Sequence, residues 1–83
     1  MYQVVISEPA KKFIKKLQQP FVRKIISAIE KFENNLRPHG CKQLVGSDLY
    51  RMRVGDYRII YSIDDEVKIV DVRKVGHRKN IYD

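Results

Sequence analysis

The segment Leu49 to Asp64, LYRMRVGDYRIIYSID, most constrains the fold, because it has the pattern of two strands joined by a tight turn. Gly55-Asp56 is typical of a two-residue hairpin turn, which would place Arg53 opposite Arg58. Alternate residues then share one face of the hairpin, and every member of that face is apolar or aromatic: Tyr50, Met52, Val54, Tyr57, Ile59 and Tyr61. The pattern therefore predicts a β-hairpin whose apolar face packs into the core.

The other face of this hairpin would carry Arg51, Arg53 and Arg58. Like charges directly opposite each other destabilise a sheet, so a pair of facing arginines needs a compensating reason. The whole chain has 17 Lys and Arg residues against 10 Asp and Glu, a net charge of +7, which favours polyanionic partners. We expect an anion to bind this face; nucleic acid is the first candidate, and an acidic protein is the alternative.

The N-terminal half predicts one strand and two helices. A β-rich run spans residues 2–6, and Ser7 is a suitable N-cap for the helix that follows. Apolar residues recur with helical spacing on both sides of Gln19-Pro20, at Ala10, Phe13, Ile14 and Leu17 and then at Val22, Ile25, Ile26, Ile29, Phe32 and Leu36. This spacing predicts an antiparallel helical hairpin whose second helix ends near Asn35.

The C-terminal half predicts strands near 49–54, 57–64 and 67–75. A two-residue turn at Asp65-Glu66 would direct Val70 and Val72 to the core and place Arg73 beside Arg58, whereas a slip of one residue would direct Asp71 to the core. The predicted fold is α+β: an N-terminal strand, an antiparallel helical hairpin, then a three-stranded antiparallel meander packed on the helices, in a single domain over 1–83.

The sequence does not indicate a disulfide, a membrane or signal segment, or a metal site. The only cysteine, Cys41, cannot form an internal disulfide, and no apolar run has the length of a signal segment or membrane span, so a cytoplasmic protein without membrane contact is expected. His39 and Cys41 have the spacing of two metal ligands, but no second pair completes a zinc site. We expect neither a metal nor another cofactor.

The basic strands suggest chemistry on RNA. Arg53 and Arg58 could contact a scissile phosphate and stabilise the charge that develops when a 2′-hydroxyl attacks it. Such a reaction needs no metal, and it gains from a proton-transfer group, for which His77 is the best candidate. Tyr82 could stack on a base. Taken singly, each of these residues is more often an ordinary surface or edge residue.

The chain resembles the RelE/ParE superfamily of toxins over nearly its full length. The resemblance lies in the order of elements and in three segments: KQLVG at 42–46, LYRMRVGDYRIIY at 49–61, and VGHR at 75–78 with Ile81-Tyr82. It implies a RelE-like fold of the microbial ribonuclease kind. It also implies a ribosome-dependent endoribonuclease that cuts mRNA, inhibits translation and is held inactive by a RelB-like antitoxin.

The resemblance also implies roles for individual residues. Arg51 and Arg53 stand where the best-studied ribonucleases have two lysines, and Arg58 matches the arginine that contacts the scissile phosphate. Arg78 matches a second catalytic arginine, and Tyr82 matches the tyrosine that stacks on the substrate base. Arginine holds its proton tightly, so His77 is expected to take over part of the proton transfer. The predicted catalytic set is Arg51, Arg53, Arg58, His77, Arg78 and Tyr82.

Two other functions remain open from the sequence. One is a ParE-like toxin that poisons DNA gyrase through a protein contact. The other is a noncatalytic module that pairs with an antitoxin and binds nucleic acid. For the ribonuclease, the implied partners are the ribosome, through rRNA and mRNA in the decoding (A) site, and the antitoxin; operator DNA would be bound only through the antitoxin complex.

Overall fold

The computed structural model describes residues 1–38 and 40–77, which form two helices packed on one face of a five-stranded sheet. The elements are β1 (Gln3–Ile6), α1 (Glu8–Lys15), α2 (Phe21–Glu30) with a 3-10 turn at Lys31–Glu33, β2 (Lys42–Gln43), β3 (Leu49–Val54), β4 (Tyr57–Asp64) and β5 (Ile69–His77). The strand order is β1-β5-β4-β3-β2. The α+β class is confirmed. No helix within the described ranges has the length and apolar character needed to cross a bilayer.

The sheet is larger than the predicted three-stranded meander, and it is mixed rather than antiparallel. β1 runs parallel to β5, from the pair Gln3 and Ile69 to the pair Ile6 and Val72, and β2 pairs antiparallel with β3. The sequence predicted β1 as a strand but not its pairing with β5, because that pairing joins distant parts of the chain. β2 has only two residues, both exposed, so it shows no alternating pattern.

The first hairpin has the predicted register. Val54 pairs with Tyr57 and Arg53 with Arg58 across a turn in which Gly55 has a φ of +58°. Glycine adopts this left-handed conformation without the steric penalty that a Cβ atom brings. The predicted apolar face lies against the helices, with Met52, Ile59 and Tyr61 buried and the other members partly buried beside them.

The second hairpin differs from its prediction, because its turn has four residues, 65–68, instead of two. The Asp64 carboxylate accepts hydrogen bonds from the backbone N–H of Glu66 at 3.0 Å and of Val67 at 3.2 Å. Lys68 then adopts a φ of +58° before β5 begins. The side chain of Asp64 therefore stabilises a longer turn, which the sequence pattern Asp65-Glu66 did not reveal.

The longer turn moves the pairing of β5 by two residues, and an irregularity opposite Ile60 and Tyr61 adds one more. A shift of two keeps the same face toward the core, so Val70 and Val72 are fully buried as predicted. The residue opposite Arg58 is Gly76, however, and the prediction that Arg73 lies beside Arg58 was wrong.

The helices begin and end through specific contacts. The Ser7 hydroxyl accepts a hydrogen bond from the N–H of Ala10 at 3.4 Å, which confirms Ser7 as the N-cap, and it donates to the carbonyl of Arg73 at 2.8 Å. α2 ends at Glu30 instead of near Asn35, and a 3-10 turn follows. In that turn Phe32 is fully buried, with its ring centroid 4.2 Å from that of Tyr61.

The core lies between the helices and the sheet. Its buried members come from both layers: Ala10, Ile14, Ile25, Ile29 and Phe32 from the helical side, and Met52, Ile59, Tyr61, Val70, Val72 and Val75 from the strands. The Tyr61 hydroxyl donates to the carbonyl of Leu36 at 2.9 Å. Burial, and then a hydrogen bond with the Cys41 thiol, raise the pKa of Tyr61. Within residues 1–38 and 40–77, both helices lie on this one face of the sheet.

Candidate nucleic-acid interface

Three of the predicted site residues lie together on the sheet face opposite the core. Arg53 and Arg58 are directly paired across β3 and β4, and Arg51 pairs with Ile60 in the next position of the same face. Arg53 is exposed, whereas Arg51 and Arg58 are partly buried. The strands therefore hold three guanidinium groups on one surface, whose planar donors match the oxygen atoms of a phosphate.

Two lysines that the sequence reasoning missed occupy the same face. Lys42 of β2 pairs with Arg51, and Lys74 of β5 pairs with Ile60. Directly paired residues point to the same side of an antiparallel sheet, so the row across four strands reads Lys42, Arg51, Ile60, Lys74. Both lysines are exposed. They were missed because β2 has no strand pattern and the register of β5 depends on the turn at 65–68.

Small and apolar residues shape this surface around Arg58. Gly76, its partner on β5, is buried and has no side chain, so among the described strands the side chain directly opposite Arg58 is that of Arg53. Ile60, two residues along β4, is only 5% exposed although its neighbours in the row are charged. The Nε atom of Arg58 is itself buried. Packing thus fixes the stem of Arg58, and reduced solvent contact strengthens its attraction for an anion.

The structure does not bring His77 onto the arginine face. His77 pairs with Tyr57, whose side chain belongs to the helix-facing side of the sheet, and the two rings meet edge to face with centroids 5.5 Å apart. The Tyr57 ring also contacts Phe13 at 6.1 Å and Phe21 at 5.6 Å. His77 therefore ends β5 beside an aromatic group on the far side from Arg58. The predicted residues Arg78 and Tyr82, and His39 of the rejected metal pair, lie outside the described residues.

The opposite end of the sheet is acidic. A groove of about 890 Å³ there is lined in part by Asp48, Asp64 and Asp71. Arg73 is engaged locally, since its Nε donates to the Ser62 hydroxyl at 3.1 Å and lies 3.9 Å from a carboxylate oxygen of Asp71. The sheet thus has a basic end near the Gly55 turn and an acidic end near the 65–68 turn. An anionic chain would be attracted to the first and repelled by the second.

Sequence comparison relates the chain to toxins. A family model described as the ParE toxin of the type II toxin-antitoxin system parDE matches residues 4–82. RelE1 of Methanocaldococcus jannaschii, a protein assigned as a toxin, is 31% identical over an alignment of 85 positions that covers 98% of this chain and 94% of RelE1.

Structural comparison gives the same relationship. The RelE-RelB complex from Pyrococcus horikoshii contains a chain that matches with a TM-score of 0.85 and 29% identity, over 96% of this chain and 98% of that one. The intact E. coli RelBE toxin-antitoxin complex matches with a TM-score of 0.79 and 25% identity, over 93% and 96% of the two chains. Both matches span nearly the whole of each chain.

Proposed function

The chain belongs to the ParE toxin family of type II toxin-antitoxin systems and is RelE-like in sequence and fold, and from that premise we propose that it is a ribosome-dependent mRNA endoribonuclease. The observation that carries the proposal is the pair Arg53 and Arg58, which lie directly opposite each other on the basic sheet face although like charges in such positions repel. A phosphate bound between the two guanidinium groups would relieve that repulsion.

The proposed reaction is an internal transfer of the phosphodiester. The 2′-oxygen bonds to phosphorus and the bond from phosphorus to the 5′-oxygen breaks, which leaves a 2′,3′-cyclic phosphate and a 5′-hydroxyl. Negative charge on the phosphoryl oxygens increases on the way to the five-coordinate transition state. Arg58, with its buried Nε, and Arg53 would therefore bind the transition state more tightly than the substrate, which lowers the barrier. Arg51 would hold the neighbouring backbone.

Two protons must also move, one from the 2′-hydroxyl and one to the departing 5′-oxygen. Arginine is a poor donor or acceptor of protons at neutral pH, so the three strand arginines act through charge. His77 stays a prediction for proton transfer; its position beside Tyr57 means that the substrate would have to reach the end of β5. Arg78, as a second phosphate contact, and Tyr82, as a stacking residue, also stay predictions.

The proposed partners are the ribosome, which would present mRNA in its decoding site, and a RelB-like antitoxin. Related toxins from Pyrococcus horikoshii and E. coli were solved in complex with RelB. A partly disordered acidic segment is chemically suited to the basic sheet face, because it can fold on binding and neutralise the arginines. Operator DNA would be bound through the complex with the antitoxin, not by the toxin alone.

A reconstituted translation reaction tests the activity. Purified toxin is added to ribosomes programmed with a defined mRNA, and cuts are mapped by primer extension with and without ribosomes. We expect cuts that require ribosomes and keep a fixed position relative to the reading frame. The 5′ fragments should end in a cyclic phosphate, which mass spectrometry identifies.

The same preparation tests the ParE-like alternative, which deserves a test because the matching family model is named for ParE. Loss of DNA supercoiling by gyrase in the presence of the toxin, with mRNA intact, would replace the ribonuclease proposal with gyrase inhibition. Folded toxin that affects neither process would favour a noncatalytic module.

A further inference from the structure

We propose that Lys42 and Lys74 are substrate-binding residues that contact RNA phosphates on the two sides of the arginine group. The RNA backbone would then cross the sheet from β2 to β5, roughly perpendicular to the strands. This inference rests on the proposed ribonuclease function and adds the path of its substrate.

The register of four strands carries the inference. Lys42, Arg51 and Lys74 occupy one cross-strand row, with Ile60 between the last two. Neighbouring strands lie about 4.8 Å apart, so the row spans about 14 Å between the outer lysines. Arg53 and Arg58 lie two residues nearer the Gly55 turn, about 7 Å along the strands. The lysines therefore flank the place where the paired arginines would hold the scissile phosphate.

Both lysines are available to a bound phosphate. In the described ranges 1–38 and 40–77, neither ammonium group makes an ion pair. Both lysines are exposed on a face whose opposite end carries Asp64 and Asp71. The acidic end would repel an RNA strand, which would therefore lie across the row that begins at Lys42 and ends at Lys74.

The chemistry of lysine also suits the flanking positions. An ammonium group on a flexible stem can follow a backbone whose exact position varies with sequence, whereas the rigid guanidinium fork suits the fixed central phosphate. Ile60, which lies between Arg51 and Lys74 in this row, is only 5% exposed.

The test measures binding of a short single-stranded RNA whose 2′-O-methyl riboses prevent cleavage, by fluorescence anisotropy at several salt concentrations. Four proteins are compared: wild type, Lys42→Gln/Lys74→Gln, Arg53→Gln/Arg58→Gln, and Lys12→Gln/Lys15→Gln. The last variant removes the same charge from exposed lysines of α1, on the other side of the molecule. A fifth protein, Lys42→Arg/Lys74→Arg, keeps the two positive charges, and thermal unfolding confirms that each variant is folded.

Each phosphate contact with a single strand contributes about 0.7 to the slope of log binding constant against log salt concentration. We expect Lys42→Gln/Lys74→Gln to lower the slope by about 1.4 and to weaken binding by about tenfold at low salt. The slope of the α1 variant and that of Lys42→Arg/Lys74→Arg should both equal the slope of wild type.

The outcomes separate this inference from the proposed function. If both the strand-lysine and α1 variants lower the slope equally, the effect is one of overall charge and the inference is overturned. If the Arg53→Gln/Arg58→Gln variant loses binding while Lys42→Gln/Lys74→Gln binds like wild type, only the path is wrong. If neither Arg53→Gln/Arg58→Gln nor Lys42→Gln/Lys74→Gln changes RNA binding, the sheet face is not the RNA site and the proposed function fails as well.

Discussion

Replacing Arg53 by glutamine should stabilise the protein while impairing its proposed activity. Arg53 lies directly opposite Arg58 in the hairpin, and Arg53 is exposed. Glutamine keeps much of the length and the hydrogen-bonding capacity of the side chain but removes the charge. The prediction follows from the idea that this pair is retained for function at a cost in stability.

The size of the effect follows from the distance between the two strands. Directly opposite Cβ atoms lie about 5 Å apart, and two unit charges held at the same separation in water would repel by about 0.8 kcal/mol. Screening leaves about 0.7 kcal/mol at 10 mM salt, where the Debye length is about 30 Å, and about 0.2 kcal/mol at 1 M, where it is about 3 Å. Arg53→Gln should therefore raise the free energy of unfolding by about 0.7 kcal/mol at low salt.

Urea unfolding followed by circular dichroism measures this difference, because urea is uncharged and leaves the salt concentration free. With a slope of about 1 kcal/mol per molar urea, the midpoint should rise by about 0.7 M at low salt and by about 0.2 M at 1 M salt. Lys12→Gln is the control, since it removes one exposed positive charge from α1 and should give no comparable gain. An Arg53→Gln protein no more stable than wild type, or a gain that persists at 1 M salt, would refute the reasoning.

Three further changes test the scaffold under the arginine face by urea unfolding. Tyr61→Phe should lower the free energy of unfolding by about 1 kcal/mol at pH 7, because the hydrogen bond to the Leu36 carbonyl is lost. Since the folded-state pKa of Tyr61 is raised, wild type should also lose stability as the pH rises above about 10. An equal loss in the variant would contradict this. Phe32→Ala should cost about 3–5 kcal/mol, since the ring is fully buried against Tyr61; a cost below about 1 kcal/mol would contradict that packing. Gly55→Ala should cost about 1 kcal/mol from its φ of +58° alone, because a Cβ there meets no atom within 4 Å; no loss would argue against the left-handed turn.

The parts of the fold that depend on neighbouring residues could be predicted from the sequence. The Gly55 turn, the apolar face of β3 and β4, and the N-cap at Ser7 each follow from short-range patterns. The placement of β1 beside β5 could not be predicted, because it joins segments more than 60 residues apart. The prediction of the second turn was wrong because the Asp64 carboxylate stabilises a turn of four residues, which shifts the register of β5.

The same limits apply to the candidate site. The arginines on β3 and β4 were placed correctly, since their register is fixed by a short turn. Lys74 was missed because the register of β5 depends on the longer turn, and Lys42 because two exposed residues give no strand pattern. His77 looked close to the arginines in sequence terms, but the pairing with Tyr57 puts it on the other face. Alternation along a strand shows which face of the sheet a side chain lies on only when the register of that strand is known.

The most direct test of the central claim is the single-turnover rate of mRNA cleavage on programmed ribosomes by wild type, by Arg53→Gln/Arg58→Gln and by Lys12→Gln/Lys15→Gln. Loss of one preorganised charge contact typically lowers the rate by about 10²–10³. We expect a loss of at least that size for the strand-arginine variant and a rate near that of wild type for the α1 variant. Equal cleavage by a folded Arg53→Gln/Arg58→Gln protein would contradict the claim that this sheet face is the catalytic site.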